Sequence, residues 1–266
     1  MPPAIDTVSA TVTAAAVEPG GTAMAAVAGD SLTLRSTAGR IRLLNMWCDT
    51  DSPGFVQITS PKLSDATRGI RLRLTTHDPK PLLPWESMQD LFPVDVLAAT
   101  LASVAGAGKI DNVSLMLYYD DLPGSAARFI DVPTLEKRKQ ELLCVESTLT
   151  PAVGNAYSGL VALNALSDLG KAGSDYALVG YRAAGAANGT TITWRGADTG
   201  NYRVSGPADP QGSDYSATWF YNLSTWNNLP LIPVFAYNNK NGIFIEIVGN
   251  DLLSTVKLTS IFVRLA

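Results

Sequence analysis

The stretch Gly69-Ile70-Arg71-Leu72-Arg73-Leu74 alternates apolar and charged positions without a break. Ile70, Leu72 and Leu74 share one face and Arg71 and Arg73 the other, the period of a half-buried strand in an antiparallel sheet. Similar short segments precede it: Ser31-Leu32-Thr33-Leu34, Arg40-Ile41-Arg42-Leu43-Leu44 and Phe55-Val56-Gln57-Ile58-Thr59. Turn-forming residues at Asp51-Ser52-Pro53-Gly54 and Asp78-Pro79-Lys80-Pro81 separate them. Short strands punctuated by Gly and Pro predict a sandwich or barrel rather than an α/β fold. Val94 to Val104 is apolar and alanine-rich, compatible with strand or helix, and Val113 to Tyr119 closes the first half as a strand.

The β rhythm breaks at Pro133 to Leu143, where Thr134-Leu135-Glu136-Lys137-Arg138-Lys139-Gln140-Glu141 combines high helix propensity with a charged face. Leu135 and Leu142 stand one heptad apart, so the segment predicts a short connecting helix over 134–143. From Leu142 the strand pattern restarts in the same order. Asp175 to Gly180 stands where Arg40 to Leu44 stood, Thr191 to Trp194 where Gln57 to Ser60 stood, and Val256 to Leu265 where 113–119 stood. Trp226-Asn227-Asn228-Leu229-Pro230-Leu231-Ile232-Pro233-Val234 echoes Trp85 to Val94, each running from a tryptophan to an apolar-Pro-Val step. Such an internal echo predicts a fold built twice. The Pro-Val steps are expected at the start of equivalent strands, because proline cannot donate to a ladder. The organisation read from this is an extended arm at 1–20, a first β unit at 21–121, a linker with a helix at 122–141 and a second β unit at 142–266.

Composition sharpens this picture. The 266 residues are 46% hydrophobic and 17% charged, an ordered globular chain able to bury a large core. The net charge of −4 is spread along the chain, so no footprint for direct nucleic-acid binding is expected. Cys48 and Cys144 are read as reduced, buried apolar residues. No basic or apolar leader pattern follows Met1, and the uncharged run Ser147 to Ser167 is too rich in Pro, Gly and hydroxyls for a membrane span.

Catalytic sets are not evident. His77 is the single histidine, so a tandem metal barrel lacks ligands, and a Ser-His-Asp triad lacks its G-x-S-x-G turn. Asp49-Thr50-Asp51-Ser52-Pro53-Gly54 imitates the start of a calcium loop, but Pro53 stands at a ligand position and Ser60 replaces the bidentate glutamate. Gly106-Ala107-Gly108-Lys109 lacks the earlier glycine and the hydroxyl of a phosphate loop, and Ser254 to Lys257 lies within an alternating strand pattern. Asp120 and Asp121 are neighbours and point to opposite faces if on a strand, which does not suit a glycosidase pair. No catalytic residue, cofactor or metal ligand is therefore assigned. The aromatic run Trp219 to Trp226 reads as a strand with core contacts. In an alternative reading Trp219, Tyr221 and Trp226 form a sugar-stacking platform of a carbohydrate-binding or host-recognition protein, such as a viral spike or lectin-like module.

Two successive β units, a helix between them, an amino-terminal arm and the paired landmarks Trp85 and Trp226, Pro93-Val94 and Pro233-Val234 resemble the double jelly-roll major capsid proteins of tailless icosahedral viruses with internal membranes. The resemblance lies in layout and covers nearly the whole chain. It implies an all-β fold of two consecutive eight-stranded jelly rolls joined by a short helix. It also implies a structural, non-enzymatic role in the virion: a homotrimer with pseudo-hexagonal outline, assembled in the host cytoplasm. Its partners would be neighbouring capsomers, penton or minor capsid proteins and, through the arm at 1–20, an internal membrane.

Overall fold

The computed structural model describes residues 3–13, 21–49, 54–61, 69–74, 80–81, 91–103, 110–123, 125–150, 156–163, 171–185, 189–208, 214–249 and 255–266. Within these, the chain is all-β, and every pairing of strand with strand is antiparallel. The first half holds β1 (Ala4–Thr13), β2 (Thr22–Ala23), β3 (Ala25–Ala26), β4 (Ile41–Asp49), β5 (Gly54–Thr59), β6 (Ile70–Leu74), β7 (Lys80–Pro81), β8 (Ala98–Ser103) and β9 (Ile110–Tyr119). They make two sheets, ordered β3-β1-β9-β4-β7 and β2-β8-β5-β6. After β10 (Phe129–Ile130) and helix α1 (Val132–Arg138) come β11 (Lys139–Leu149), β12 (Val161–Ala162), β13 (Asp175–Ala184), β14 (Gly189–Arg195) and β15 (Val204–Pro207). Helices α2 (Asp214–Ala217) and α3 (Trp219–Asn227) follow, then β16 (Ile232–Ala236), β17 (Phe244–Gly249) and β18 (Val256–Leu265). The second pair of sheets is ordered β10-β16-β13-β18-β11 and β12-β17-β14-β15.

The two halves repeat one pairing scheme. β1, β9, β4 and β7 are neighbours in the order in which β11, β18, β13 and β16 recur, and β2-β8-β5-β6 matches β12-β17-β14-β15. Each ladder even breaks at the same place: between Leu43 and Asn45 in β4 against β9, and between Leu178 and Gly180 in β13 against β18. A bulge re-aims a strand and is a built feature rather than a defect, so its recurrence fixes the register of one half on the other. Leu43 then corresponds to Leu178, Asn45 to Gly180, Met116 to Ile261, Tyr118 to Val263 and Ile5 to Leu142.

This register corrects the echo read from sequence. Pro233 and Val234 lie inside β16, whose counterpart is β7, whereas Pro93 and Val94 form a turn before β8, with Val94 at φ 60°. The two Pro-Val steps are not equivalent, and Trp85 lies outside the described residues. The expected match of 175–180 to 40–44 has the correct register. The match of Thr191 to Gln57 has the right strand but is two residues out, since the inward Val56 and Ile58 correspond to Ile192 and Trp194.

Three elements differ from expectation. Residues 4–13 are not an arm: β1 pairs with β9 along its whole length, and Ala4 to Ala10 are buried. Its pattern Ile-Asp-Thr-Val-Ser-Ala reads as loose because the strand is covered on both faces, one of them by polar groups of the second half. The linker helix stops at Arg138. Asp131 caps it, its carboxylate accepting from the Thr134 amide at 2.9 Å, but Lys139 turns extended and the following residues pair with β18 instead. Ladder bonds outweigh helix propensity there, so Leu135 is buried while Leu142 is 64% exposed on a strand. The run from Trp219 is the helix α3, not a strand. Of the run from Val94 to Val104, the described residues 94–103 form a turn and the strand β8, and Val104 lies outside them.

Two apolar cores result. One fills the first sandwich with Val8, Leu43, Val56, Ile58, Leu101, Leu115 and Leu117. The other fills the second sandwich and continues into the first half through Ile5, Leu44, Trp47, Met116 and Tyr118.

Candidate functional site

Residues on β1, β4 and β9 that point away from the first core meet the sheet of β14, β15 and β17. The alternation along each strand decides this: on β9, Val113, Leu115 and Leu117 enter the first core, which leaves Ser114, Met116 and Tyr118 for the seam. A sheet covered on both faces needs few charged positions, which explains the near-continuous apolar runs Leu43-Leu44-Asn45-Met46-Trp47-Cys48 and Val113 to Tyr119. Those runs were the sequence signal for a buried seam, and reading them only as strands missed it.

At the centre of the seam, the Trp47 indole donates to Thr191 Oγ1 at 2.9 Å, and the Ser114 and Thr191 hydroxyls meet at 2.5 Å. Trp47 also packs edge-on against Trp219, ring centroids 5.8 Å apart. Asn112 Nδ2 donates to the Gly249 carbonyl at 3.0 Å, and the Thr7 amide donates to the Arg203 carbonyl at 2.9 Å. Several buried polar side-chain atoms here have no protein partner: Thr7 Oγ1, both amide atoms of Asn45, Thr193 Oγ1 and Ser205 Oγ.

One end of the seam is a buried ionic network. Asp30 accepts from the Ser9 amide at 2.6 Å, the Tyr157 hydroxyl at 2.9 Å and Arg203 Nη1 at 2.5 Å. Arg203 Nε donates to Glu246 Oε1 at 2.9 Å, and Arg195 Nε approaches the same oxygen at 3.2 Å. Asp6 takes Arg35 Nε at 2.8 Å and the Arg203 amide at 3.3 Å. The Arg203 guanidinium lies over the Tyr157 ring at 3.9 Å. Three carboxylates thus face three guanidiniums. Burial pushes the Asp30 carboxyl up to about 6 against the opposing pull of Arg203, and burial likewise raises Asp6 and the Tyr157 phenol. Asp6, Asp30, Arg35, Tyr119 and Arg203 line a cavity of about 440 Å³. The network joins β1 and the 27–35 segment of one half to β15, β17 and Tyr157 of the other. Its chemistry is that of matched charges holding two surfaces, because each carboxylate already meets a guanidinium.

The residues singled out from sequence are dispersed. Trp219 is fully buried, with its indole donating to the Ser205 carbonyl at 2.9 Å, so its face is not available to a sugar. Tyr221 is half-buried and Trp226 is 41% exposed, two turns along α3 from Trp219. Trp219 and Trp226 share a side of α3, but the core covers only its first turns, so Trp219 is buried and Trp226 near the end is exposed; with Tyr221 on another side, the three do not form one platform. Asp120 pairs with Arg42 at 3.8 Å. Cys48 is buried as expected, whereas Cys144 is exposed on β11 because its side of that strand is uncovered. His77, residues 50–53 of the calcium-like loop, 106–109 and Ser254 lie outside the described residues. Among the described residues, no group of three or more His, Cys, Asp or Glu is placed to hold a metal ion, and no helix is long and apolar enough to cross a membrane.

No family model matches the chain, and no curated protein matches it. Among solved structures, the chain is similar to one described as the crystal structure of PBSX exported protein XepA, at 9% identity over 95% of this chain and 86% of that one. The TM-score is 0.26, too low to carry an inference about fold or function.

Proposed function

We propose that each half is an eight-stranded jelly roll and that the chain is a structural major capsid protein, whose trimers form pseudo-hexagonal capsomers of an icosahedral shell. The observation that carries this reading is the nested pairing. β1 pairs with β9, β2 with β8, β4 with β7 and β5 with β6; then β11 pairs with β18, β12 with β17, β13 with β16 and β14 with β15. First strand with last, second with second-last, is what a long hairpin gives when it is rolled into a two-sheet sandwich of the jelly-roll type.

Two such units in one chain place six similar bodies in a trimer, the number that fills a hexagonal lattice. The locked seam suits a shell subunit that bears load without moving. The partners in this reading are the other subunits of the trimer, neighbouring capsomers, and penton or minor capsid proteins, and the place of action is the virion. Contact with an internal membrane through residues 4–13 is not part of it, since that strand is committed to the first sheet. Light scattering and negative-stain microscopy of the purified protein test the reading. A stable trimer with hexagonal outline is the expected result, and a monomer retained on a glycan array would overturn it.

A further inference from the structure

The ionic network at the end of the seam uses up its carboxylates but not its guanidiniums. Asp6 accepts from Arg35 through Oδ2 and from the Arg203 amide through Oδ1, and Asp30 accepts from the Ser9 amide, the Tyr157 hydroxyl and Arg203. On the donor side, Arg35 turns only its Nε and Nη2 edge to Asp6, and Arg203 spends Nε on Glu246 and Nη1 on Asp30. Arg35 Nη1 and Arg203 Nη2 meet no acceptor among the described residues. A guanidinium carries five N–H donors and no acceptor, so what the network leaves over is donor capacity.

That capacity is gathered on one cavity. Arg35 and Arg203 both line the space of about 440 Å³, together with Gly29, Ser31 and Tyr119. Gly29 leaves the Arg203 edge open, since a Cβ there would stand 3.5 Å from Nη2. Tyr119 is 1% exposed, yet its hydroxyl only accepts, from the Arg35 amide at 3.5 Å, and its own hydrogen meets no acceptor among the described residues. Ser31 Oγ likewise accepts, from the Thr33 amide at 3.1 Å. Both guanidiniums lie on tyrosine rings, Arg35 on Tyr202 at 4.6 Å and Arg203 on Tyr157 at 3.9 Å. Held in this way, they need little further ordering when a ligand arrives.

We infer that this cavity binds a small free oxyanion of the sulfate or phosphate kind, held between the outer edges of Arg35 and Arg203 and the Tyr119 hydroxyl. A tetrahedral oxyanion brings acceptors only, and its hydrogen bonds to guanidinium groups are of the strong, charge-assisted kind. Asp6 and Asp30 also face the cavity and repel an anion, but each is matched by a guanidinium, so directed donors decide what enters. A cation would meet carboxylates whose oxygens already accept from the protein. The ligand bridges the halves, because Arg35 and Tyr119 belong to the first and Arg203 to the second, and its binding stabilises the joined state by mass action. The site stands whether or not the chain forms a shell.

Isothermal titration calorimetry with sodium sulfate, referenced to sodium chloride at equal ionic strength, tests the site. Wild type is expected to take one sulfate per chain, with inorganic phosphate competing for it. Tyr119→Phe removes one hydroxyl and keeps the ring, and should weaken sulfate binding about tenfold; Arg35→Gln, at a half-exposed position, should weaken it further. Circular dichroism checks that both variants are folded, and should Arg35→Gln fail to fold, Tyr119→Phe alone decides. The absence of saturable heat with sulfate overturns the site, and so does binding that the folded variants leave unchanged. Vesicles containing phosphatidic acid should not sediment the protein; sedimentation that Arg35→Gln abolishes would make the occupant a lipid headgroup and overturn the free ion.

Discussion

Asp30 and Arg203 show what burial does to charge in the seam. The Asp30 side chain is almost fully enclosed, and its carboxyl titrates near 6 instead of the ordinary 3.8. A folded-state value raised above the unfolded one makes stability fall as pH rises between about 4 and 6, because the folded chain holds a proton that the unfolded chain has released. The contribution is complete below the unfolded value and is lost on passing the folded one. Asp30→Asn cannot titrate, so the stability difference between wild type and this variant should fall by up to about 1.4 kcal/mol per pH unit over that window; urea unfolding at pH 4, 5, 6 and 7 checks the slope, and a flat difference would refute the assignment. Arg203 touches Asp30, Glu246 and the Tyr157 ring. Arg203→Ala leaves the buried Asp30 carboxylate without its guanidinium, while Glu246 keeps Arg195 at 3.2 Å, and should cost about 3–5 kcal/mol in the same assay at pH 7. None of this was legible beforehand: Asp6, Asp30, Arg203 and Glu246 are far apart in sequence, and no local spacing marks residues that only a long-range fold brings together.

The elements that were legible are those whose pattern is set by one exposed face. Residues 69–74 alternate cleanly, and they form β6 with Arg71 and Arg73 outward. β1 was illegible as a core strand for the opposite reason. With both faces covered, and Thr7 and Ser9 turned to a polar seam, it has no apolar-polar rhythm to display. Its removal is correspondingly severe. Deleting residues 4–13 takes away the partner of ten consecutive β9 positions and one wall of the ionic network. The truncated chain should not fold, as judged by loss of near-ultraviolet circular dichroism; a folded truncated trimer would show that β1 is dispensable. α2 poses a finer question of fit. A Cβ on Gly180 would stand 2.2 Å from the Ala217 carbonyl oxygen, so the helix can lie against β13 only because this position carries no side chain. Gly180→Ala should lower stability by about 1–3 kcal/mol through forced displacement of that helix, measured as a shift in urea midpoint at constant slope.

At the scale of the molecule, one order of strand pairing recurs in the two halves, while the landmark chosen from sequence to measure a repeat was not a true equivalent. Tryptophan and Pro-Val are conspicuous to the eye, yet a fold copies itself through ladder register and bulges, which Leu43-Leu44-Asn45 and Leu178-Val179-Gly180 share without sharing side chains at every position. The repeat did not produce two independent domains. Trp47, Met116 and Tyr118 belong by chain to the first half and by packing to the second core, and the ionic network crosses the same boundary. Separating the halves would expose those side chains along with Asp30 and Glu246, a loss that neither half can absorb when whole domains are stable by only about 5–15 kcal/mol. Thermal unfolding should therefore be a single transition whose calorimetric and van't Hoff enthalpies agree. Trp47→Ala, which removes the bond to Thr191 and the contact with Trp219, should lower that one transition as a whole, by roughly 3–5 kcal/mol. Two resolved transitions, with only one moved by Trp47→Ala, would mean that the halves fold separately and that the seam is a contact between finished domains.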